Sequence, residues 1–574
     1  MKRLLWFAAV LGGAAGLTLV VSMPPARLAL PSAADAGGVA GILHIHTNRS
    51  DGGGAPDDIA AAAARAGLTF VVFTDHGDAT RAPDPPAYRA GVLCIDAVEI
   101  STTAGHYVAL GLPVAPYPLA GEPRDVVEDV RRLGGFGIAA HPDSPKDGLR
   151  WGDWNAPIDA VEIINPDTSW RARVVEPAIG PRLGLVASLV TYPFKPEETI
   201  ASLLGEPTDV LERWDSLTPR RAIVGIAGVD AHAKLAPFDA EPGDNRYALP
   251  FPGYEAAFRT LSVRVHPTRP FTGDAAADAD ALLGGIRAGH LYTAVDAFAS
   301  PAAFEFSAES GGRSVWQGGE LPATEPTISL RVKSNAPPSY TTTIRQGRGA
   351  VLAERREQEF TVAAPTGAGV YRVEIRAADR PGSPLWIVSN PIYVRAPETR
   401  DPEPERQWID SAVLFPSEPL GWSVEHDPGS TADLELLPDR TGARMHLRYS
   451  LAADPLPRPF VAIAAPVHTI GPTDRLALTV RSEQPMRLSV QLRSSVDGAG
   501  EERWQRSVYV DSSARQVIVA FDDMTPVGVT RTAHPPLDRS PTLLFVIDAT
   551  HAKIGSSGQL WIERVALVRS ADAR

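Results

Sequence analysis

Cysteine is nearly absent: Cys94 is the single thiol in 574 residues. That excludes an intrachain disulfide and an all-cysteine zinc site, and leaves an oxidising compartment open. No long basic run occurs. Lys and Arg (55) are outnumbered by Asp and Glu (68), for a net charge of −13. An acidic chain of this kind is unsuited to grip a nucleic-acid duplex by its phosphates. No Gly-Lys pair occurs, so there is no P-loop, and neither a Gly-x-Ser-x-Gly elbow nor a cysteine pair is present. With 44% hydrophobic and 21% charged residues, the chain is no disordered polymer, collagen or rod. Its length suits three or four domains.

Only one long stretch lacks charge altogether. Lys2 and Arg3 precede twenty uncharged residues, Leu4 to Met23. A positive start and an apolar run form the pattern of an export signal. Twenty residues also suffice to span a bilayer, where signal cores run to about 7–15. The small-x-small triplet Ala34-Asp35-Ala36 lies thirteen residues beyond the run, far for a signal peptidase. The segment 1–36 is therefore read as a signal peptide or a signal anchor, with the anchor favoured. The rest is expected outside the cytoplasm: periplasmic, membrane-anchored or secreted.

From Gly38 to about Ser300, short apolar runs alternate with helix-like stretches. Val39–Ile45, Phe70–Thr74, Gly91–Ile100, Tyr107–Leu110, Phe136–Ala140, Ala160–Ile164 and Ala222–Gly228 read as buried strands. Pro56-Asp57-Asp58 opens an Ala-rich helix ending at Gly67, and Arg124–Leu133 forms another, closed by Gly134-Gly135. Such alternation predicts βα units over 37–300 and a largely parallel sheet or barrel. Residues 301–396 change to alternating strands, as at Thr327–Val332 and Val370–Ile375, and suit an Ig-like β-sandwich. Residues 397–407 are a Pro- and charge-rich linker. Residues 408–574 read as a second β-sandwich of jelly-roll type.

Thirteen histidines are present, and six lie between residues 41 and 240, each at a strand boundary: His44, His46, His76, His106, His141 and His232. Asp51 follows the first strand, Glu99 nears the end of the third, and Asp230 follows the last. A lone histidine after a strand is usually a satisfied polar group; nine such residues at the strand ends of one βα unit are not so easily explained. In a βα barrel, functional groups arrive from the C-terminal ends of different strands. That many His, Asp and Glu side chains converging need cations between them. Imidazole with carboxylate suits zinc, manganese or iron, and nine ligands exceed one ion, so two or three are expected. Multinuclear sites clamp a phosphoryl group and activate water.

The segments HIHTNRSDG at 44–52, TDHG at 74–77, Glu99 with GHYVALG at 105–111, AHP at 140–142 and GVDAH at 228–232 resemble the polymerase and histidinol phosphatase (PHP) superfamily of metal-dependent phosphoesterases. The resemblance covers about 38–300 and fills all nine ligand positions of that family. It implies a distorted seven-stranded βα barrel holding up to three metal ions. His44, His46, Glu99 and Asp230 would hold the first; Glu99, His106 and His141 the second; Asp51, His76 and His232 the third. A metal-bound hydroxide would attack the phosphorus of a small-molecule or envelope phosphoester. Lys146 and Arg150 are candidate phosphate contacts, with solvated loop charges favoured. Asn165 is read as pocket-facing or as a helix cap, and Asp75 as an orienter of His76 or a strand-end acceptor. His290 is not read as a ligand. The 408–574 segment resembles galactose-binding-type modules, in which Trp408, Trp422 and Trp504 would contact a glycan or pack in the core.

Two other functions fit part of the pattern. An amidohydrolase-type metal hydrolase also begins with His-x-His, but often needs a lysine at a strand end, and Lys146, Lys195 and Lys234 end none. A non-catalytic envelope protein binding metal and glycan is the other.

Overall fold

The computed structural model describes residues 22–31, 38–235, 248–324, 327–396, 408–416, 421–439, 442–454, 458–467, 470, 473–496, 500–539 and 541–570. Of the expected export segment 1–36 only residues 22–31 are among them, and the linker 397–407 lies outside them. The described residues divide between two compact units, spanning Met1–Pro113 with Glu122–Glu398 and Val114–Gly121 with Thr399–Arg574.

The first unit begins as an α/β structure. Its strands are β1 (Val39–Ile45), β2 (Phe70–Phe73), β3 (Val92–Asp96), β4 (Val98–Thr102), β5 (Gly105–Leu110), β6 (Phe136–Ala139), β7 (Ala160–Ile164) and β8 (Val224–Ala227), then β9 (Ser262–Val265) and β10 (Leu291–Ala294). Several are unbroken apolar runs, FVVF, FGIA and VGIA, buried throughout, as strands covered on both faces must be. Helix α1 (Pro56–Arg65) starts with Pro56 at its first turn, carries Asp57 and Asp58 there and Arg65 in its last turn, so its ends complement the helix dipole. Helix α2 (Pro123–Arg132) ends at Gly134, whose φ of 82° supplies the left-handed residue that closes a helix.

One sheet runs β8-β7-β6-β5-β4, and β9, β1, β2 and β3 are consecutive in another. The sheets are mixed where largely parallel pairing was expected: β8–β7–β6 and β1–β2–β3 pair in parallel, but β5 lies antiparallel to both β4 and β6, as the hairpin turn from β4 dictates, and β9 lies antiparallel to both β1 and β10. The two sheets meet along both seams. Val229 N–H donates to Leu43 O (3.0 Å) and His46 N–H to Ala231 O (3.0 Å) on one side; Glu99 N–H donates to Asp75 O (3.2 Å) and Gly77 N–H to Glu99 O (3.1 Å) on the other.

Strand pairing also runs across residue 300, where a domain division was expected. The β10 strand pairs antiparallel with Leu385–Ser389, and Gly369–Arg376 and Ile392–Arg395 extend the same sheet. Phe304–Ser310, Ser329–Ser334 and Glu359–Ala363 belong to a four-stranded antiparallel sheet beside it. Buried polar contacts fasten this β part to the α/β part: Asn390 accepts Gly225 N–H and donates to Gly225 O (both 2.8 Å), and Arg372 makes a two-pronged bond to Asp215 (2.7 and 2.8 Å).

The second unit is an antiparallel β-sandwich of two six-stranded sheets. Its core draws Leu447, Leu478 and Ile562 from one sheet and Val461, Val490 and Phe545 from the other. Trp504 is wholly buried there, and Trp422 stacks on Phe545 at 5.9 Å. Trp408 is half-buried, with the Arg475 guanidinium 4.9 Å over its ring. Among the described residues no helix is long and apolar enough to cross a membrane.

Candidate metal centre

All nine expected side chains come together where the two sheets meet. His44 is a bulge in β1: the β1–β2 register slips between Leu43 and Ile45, and His44 takes φ 64°. A bulge re-aims its side chain, so His44 and His46 approach the same carboxylates. His141 (φ 30°) and Asp230 (φ 48°) also sit in the left-handed region. Non-glycine residues held there store strain and concentrate at functional sites.

Glu99 is the hub. His44 Nε2 and His46 Nε2 both lie 3.2 Å from its Oε2 and His76 Nδ1 3.4 Å; His106 Nδ1 (2.8 Å) and His141 Nε2 (2.9 Å) meet Oε1. Asp230 Oδ1 faces His46 Nε2 at 3.3 Å and His44 Nε2 at 3.5 Å. Asp51 faces His232 Nε2 (3.3 Å), His46 Nδ1 (3.4 Å) and His76 Nε2 (3.6 Å). Four overlapping groups could each hold an ion: His44, His46 and Asp230; His44, Glu99 and His141; His76, Glu99 and His106; and His46, Asp51, His76 and His232. Among the described residues, their members are the nine and no others. The deep groups are buried, whereas His76 is exposed and Asp51 and His232 half-buried, so the cluster opens to solvent on that side.

Glu162, which the sequence reading passed over, sits behind the cluster. It accepts His44 Nδ1–H, His141 N–H (2.7 Å) and Asn165 Nδ2–H (3.0 Å). A Cβ on Gly228 would fall 1.8 Å from Glu162 Oε1, so only glycine fits there. The available signal was one charge inside the buried run AVEII. With Nδ1 held by Glu162, His44 points its Nε2 inward; His141 does the same with Nδ1 on Leu149 O (2.9 Å), and His232 with Nδ1 on Asp230 O (3.1 Å). Such outer partners fix the tautomer of metal-binding histidines. The Tyr254 hydroxyl, also missed, bridges the carbonyls of His46 (2.8 Å) and His232 (2.9 Å) and accepts Gly54 N–H (3.2 Å); two hundred residues of separation hid it.

The weaker candidates divide. Asp75 accepts Thr47 N–H (2.8 Å), Thr47 Oγ1–H (2.8 Å) and Ser50 Oγ–H (2.7 Å), and so shapes the loop that presents Asp51. Asn165 both donates to Glu162 and caps helix α3 (Pro166–Val175) by accepting Thr168 N–H (2.9 Å). Arg150 pairs with Asp147 in an exposed loop, and Lys146 is exposed nearby. Lys195 donates to Pro24 O (2.9 Å).

Burial works against charge in the cluster, yet the mutual fields overcome it. His44 is raised well above the ordinary imidazole value by Glu162, Asp230 and Glu99 despite its burial. His46 is pushed up to about 10 by Asp230 and Glu99 against the same penalty. Glu99 and Asp230 fall well below the carboxylate range, because neighbouring imidazoles outweigh burial. His44 Nε2 and both ring nitrogens of His46 have no hydrogen-bond partner, although buried polar atoms are normally satisfied. Buried ring nitrogens without a hydrogen-bond partner, gathered around shared carboxylates, are a donor set that fits divalent cations.

The geometry thus defines an α/β unit with a buried His/Asp/Glu cluster suited to divalent cations, followed by β-sandwich structure. No family model matches the chain. Over 138 residues it is 30% identical to the uncharacterized protein MJ1587 of Methanocaldococcus jannaschii, covering 21% of this chain and 80% of that protein. The chain belongs to the family of that archaeal protein. Among solved structures, a two-domain Bacteroides vulgatus protein containing a predicted PHP-like metal-dependent phosphoesterase is 14% identical, covering 64% of this chain and 99% of that one with a TM-score of 0.28. The family 11 carbohydrate-binding module of the Clostridium thermocellum cellulase Lic26A-Cel5E is 17% identical, covering 28% and 93% with a TM-score of 0.23. TM-scores this low establish no shared fold.

Proposed function

We propose that the α/β part is a PHP-type metal-dependent phosphoesterase built on a distorted seven-stranded barrel. The reading rests on one observation above others: the buried, unpartnered imidazole nitrogens of His44 and His46 face Glu99 and Asp230. His44, His46, Glu99 and Asp230 would hold a first ion, Glu99, His106 and His141 a second, and Asp51, His76 and His232 a third. Zinc, manganese or iron there would lower the pKa of coordinated water to about 7 and draw charge from a phosphoryl oxygen. The protein's own part is orientation. Glu162, Leu149 O and Asp230 O set three imidazole tautomers, burial keeps bulk water from the deep end, and the solvent-open side at Asp51, His76 and His232 is where a phosphoester would enter.

The segment 4–23 is proposed to export the chain or anchor it outside the cytoplasm. A glycan-binding role for the second unit is proposed; Trp504 lies in its core, while Trp422 and Trp408 are half-buried and also pack on buried residues. Metal analysis with a phosphomonoester and phosphodiester screen tests the enzymatic reading. The full chain is expected to carry two or three equivalents of metal and to hydrolyse one ester class, and His44→Ala to lose both properties. Equal metal and equal activity in His44→Ala would overturn it.

A further inference from the structure

Helix α4 (Ile179–Thr191) is built inside out. Its buried residues are Ser188 and Thr191, and Thr191 Oγ1 accepts Thr199 Oγ1–H (3.0 Å). Its exposed face carries Ile179, Leu183, Val186 and Val190, spaced i, i+4, i+7 and i+11, and Phe194 continues the stripe. These five side chains are 50–73% exposed. No charged residue occurs from Leu183 to Phe194. A helix facing water has the reverse arrangement, and an apolar patch of this kind marks a contact surface.

The occupant is indicated by where the chain enters. Lys195, next after Phe194, donates from Nζ to Pro24 O (2.9 Å), and Arg27 pairs with Glu197 (3.8 Å). The twenty-residue apolar run 4–23 therefore joins the folded unit beside the stripe. That run has no polar face with which to pack on a protein surface, and it has the length needed to span a bilayer. Packing on α4, which is only about 20 Å long, would cover one side of it and leave the rest in water. A lipid surface covers both.

We infer that α4, with Phe194, lies in the membrane interface as a second contact beside the N-terminal segment. The inference rests on the proposed anchor reading of 4–23.

The full chain, reconstituted in phosphatidylcholine–phosphatidylglycerol vesicles, carries an environment-sensitive fluorophore at Leu183→Cys or Val186→Cys, with Val351→Cys, exposed elsewhere in the same unit, as control; Cys94 is buried and does not label. Acyl-chain-brominated lipid is expected to quench the two α4 labels about twofold or more and leave Val351→Cys unchanged, while aqueous iodide shows the opposite preference. Labels on α4 open to iodide in protein that floats with the vesicles would overturn the inference and leave the anchor standing. Labels shielded from both quenchers would also overturn it, because protein, a second copy or the chain's own apolar run, then covers the stripe. Lipid quenching in protein whose N-terminal sequence shows 4–23 removed would uphold the surface and refute the anchor. Protein that neither floats nor is quenched would overturn both.

Discussion

Two buried clusters of ionisable groups lie in the first unit, and they are built on opposite rules. Where Gly369–Arg376 meets the α/β part, each acid has a guanidinium: Arg372 binds Asp215 and Glu374 (2.6 Å), Arg345 binds Glu374 (3.1 Å), and Arg376 binds Glu206 (2.6 Å). Three cations meet three anions. Around Glu99 no lysine or arginine comes within ion-pair distance of the nine residues among those described, and the carboxylates meet imidazoles whose nitrogens are partly unpaired. The first cluster is complete in itself, as a structural ion-pair network is; the second is arranged to receive cations from outside. Burial and charge alone do not mark a functional site, but the choice of counter-ion does.

The contrast breaks most sharply at Glu99. Glu99→Ala is expected to lose metal and phosphoesterase activity by more than about a hundredfold, since altering only an outer partner costs about 10–100-fold; metal analysis and initial rates check it. At the junction, Asp215→Ala should leave Arg372 with Glu374 alone, which Arg345 and Arg376 already share, and cost about 1–3 kcal/mol, read by denaturant unfolding, with metal content unchanged. Glu162→Gln should weaken metal affinity about 10–100-fold through misdirected His44 and His141, measured by chelator competition, with little change in stability. The smallest effect concerns pH. Glu374 lies below its ordinary value of 4.5 because Arg372, Arg345 and Arg376 outweigh its burial. A depressed folded pKa means that its contribution is present above about pH 4.5 and is lost as pH falls through the lower folded value. Acid unfolding of Glu374→Gln should therefore depend less on pH below about 5.

The ligand set was legible in the sequence because its residues, Asp51 in a polar loop excepted, stand at or close to apolar runs that end where chemistry begins. His44 and His46 follow GIL, His141 follows GIAA and Asp230 follows GIAGV. Several strand positions were legible for the same reason, and Ala160–Ile164 is found where it was expected, but the expected single strand Gly91–Ile100 is two, Val92–Asp96 and Val98–Thr102, with Glu99 near the start of the second. The bulge at His44 was not, because alternation alone predicted a common face for His44 and His46, and a left-handed histidine leaves no composition signal. Nor was the continuity of β10 with Leu385–Ser389 across ninety residues, since strand partners at long range are chosen by packing. The outward apolar face of α4 escaped notice because its composition resembles that of a core helix, and only the fold shows which side is wet.

The most direct test is anomalous diffraction from full-length crystals grown with manganese. The account predicts ion peaks among His44, His46, Glu99 and Asp230, and further peaks toward His106 with His141 and toward Asp51 with His232. Ordered protein showing no ion at Glu99 with manganese in excess, or ions bound only at other carboxylates, would contradict it.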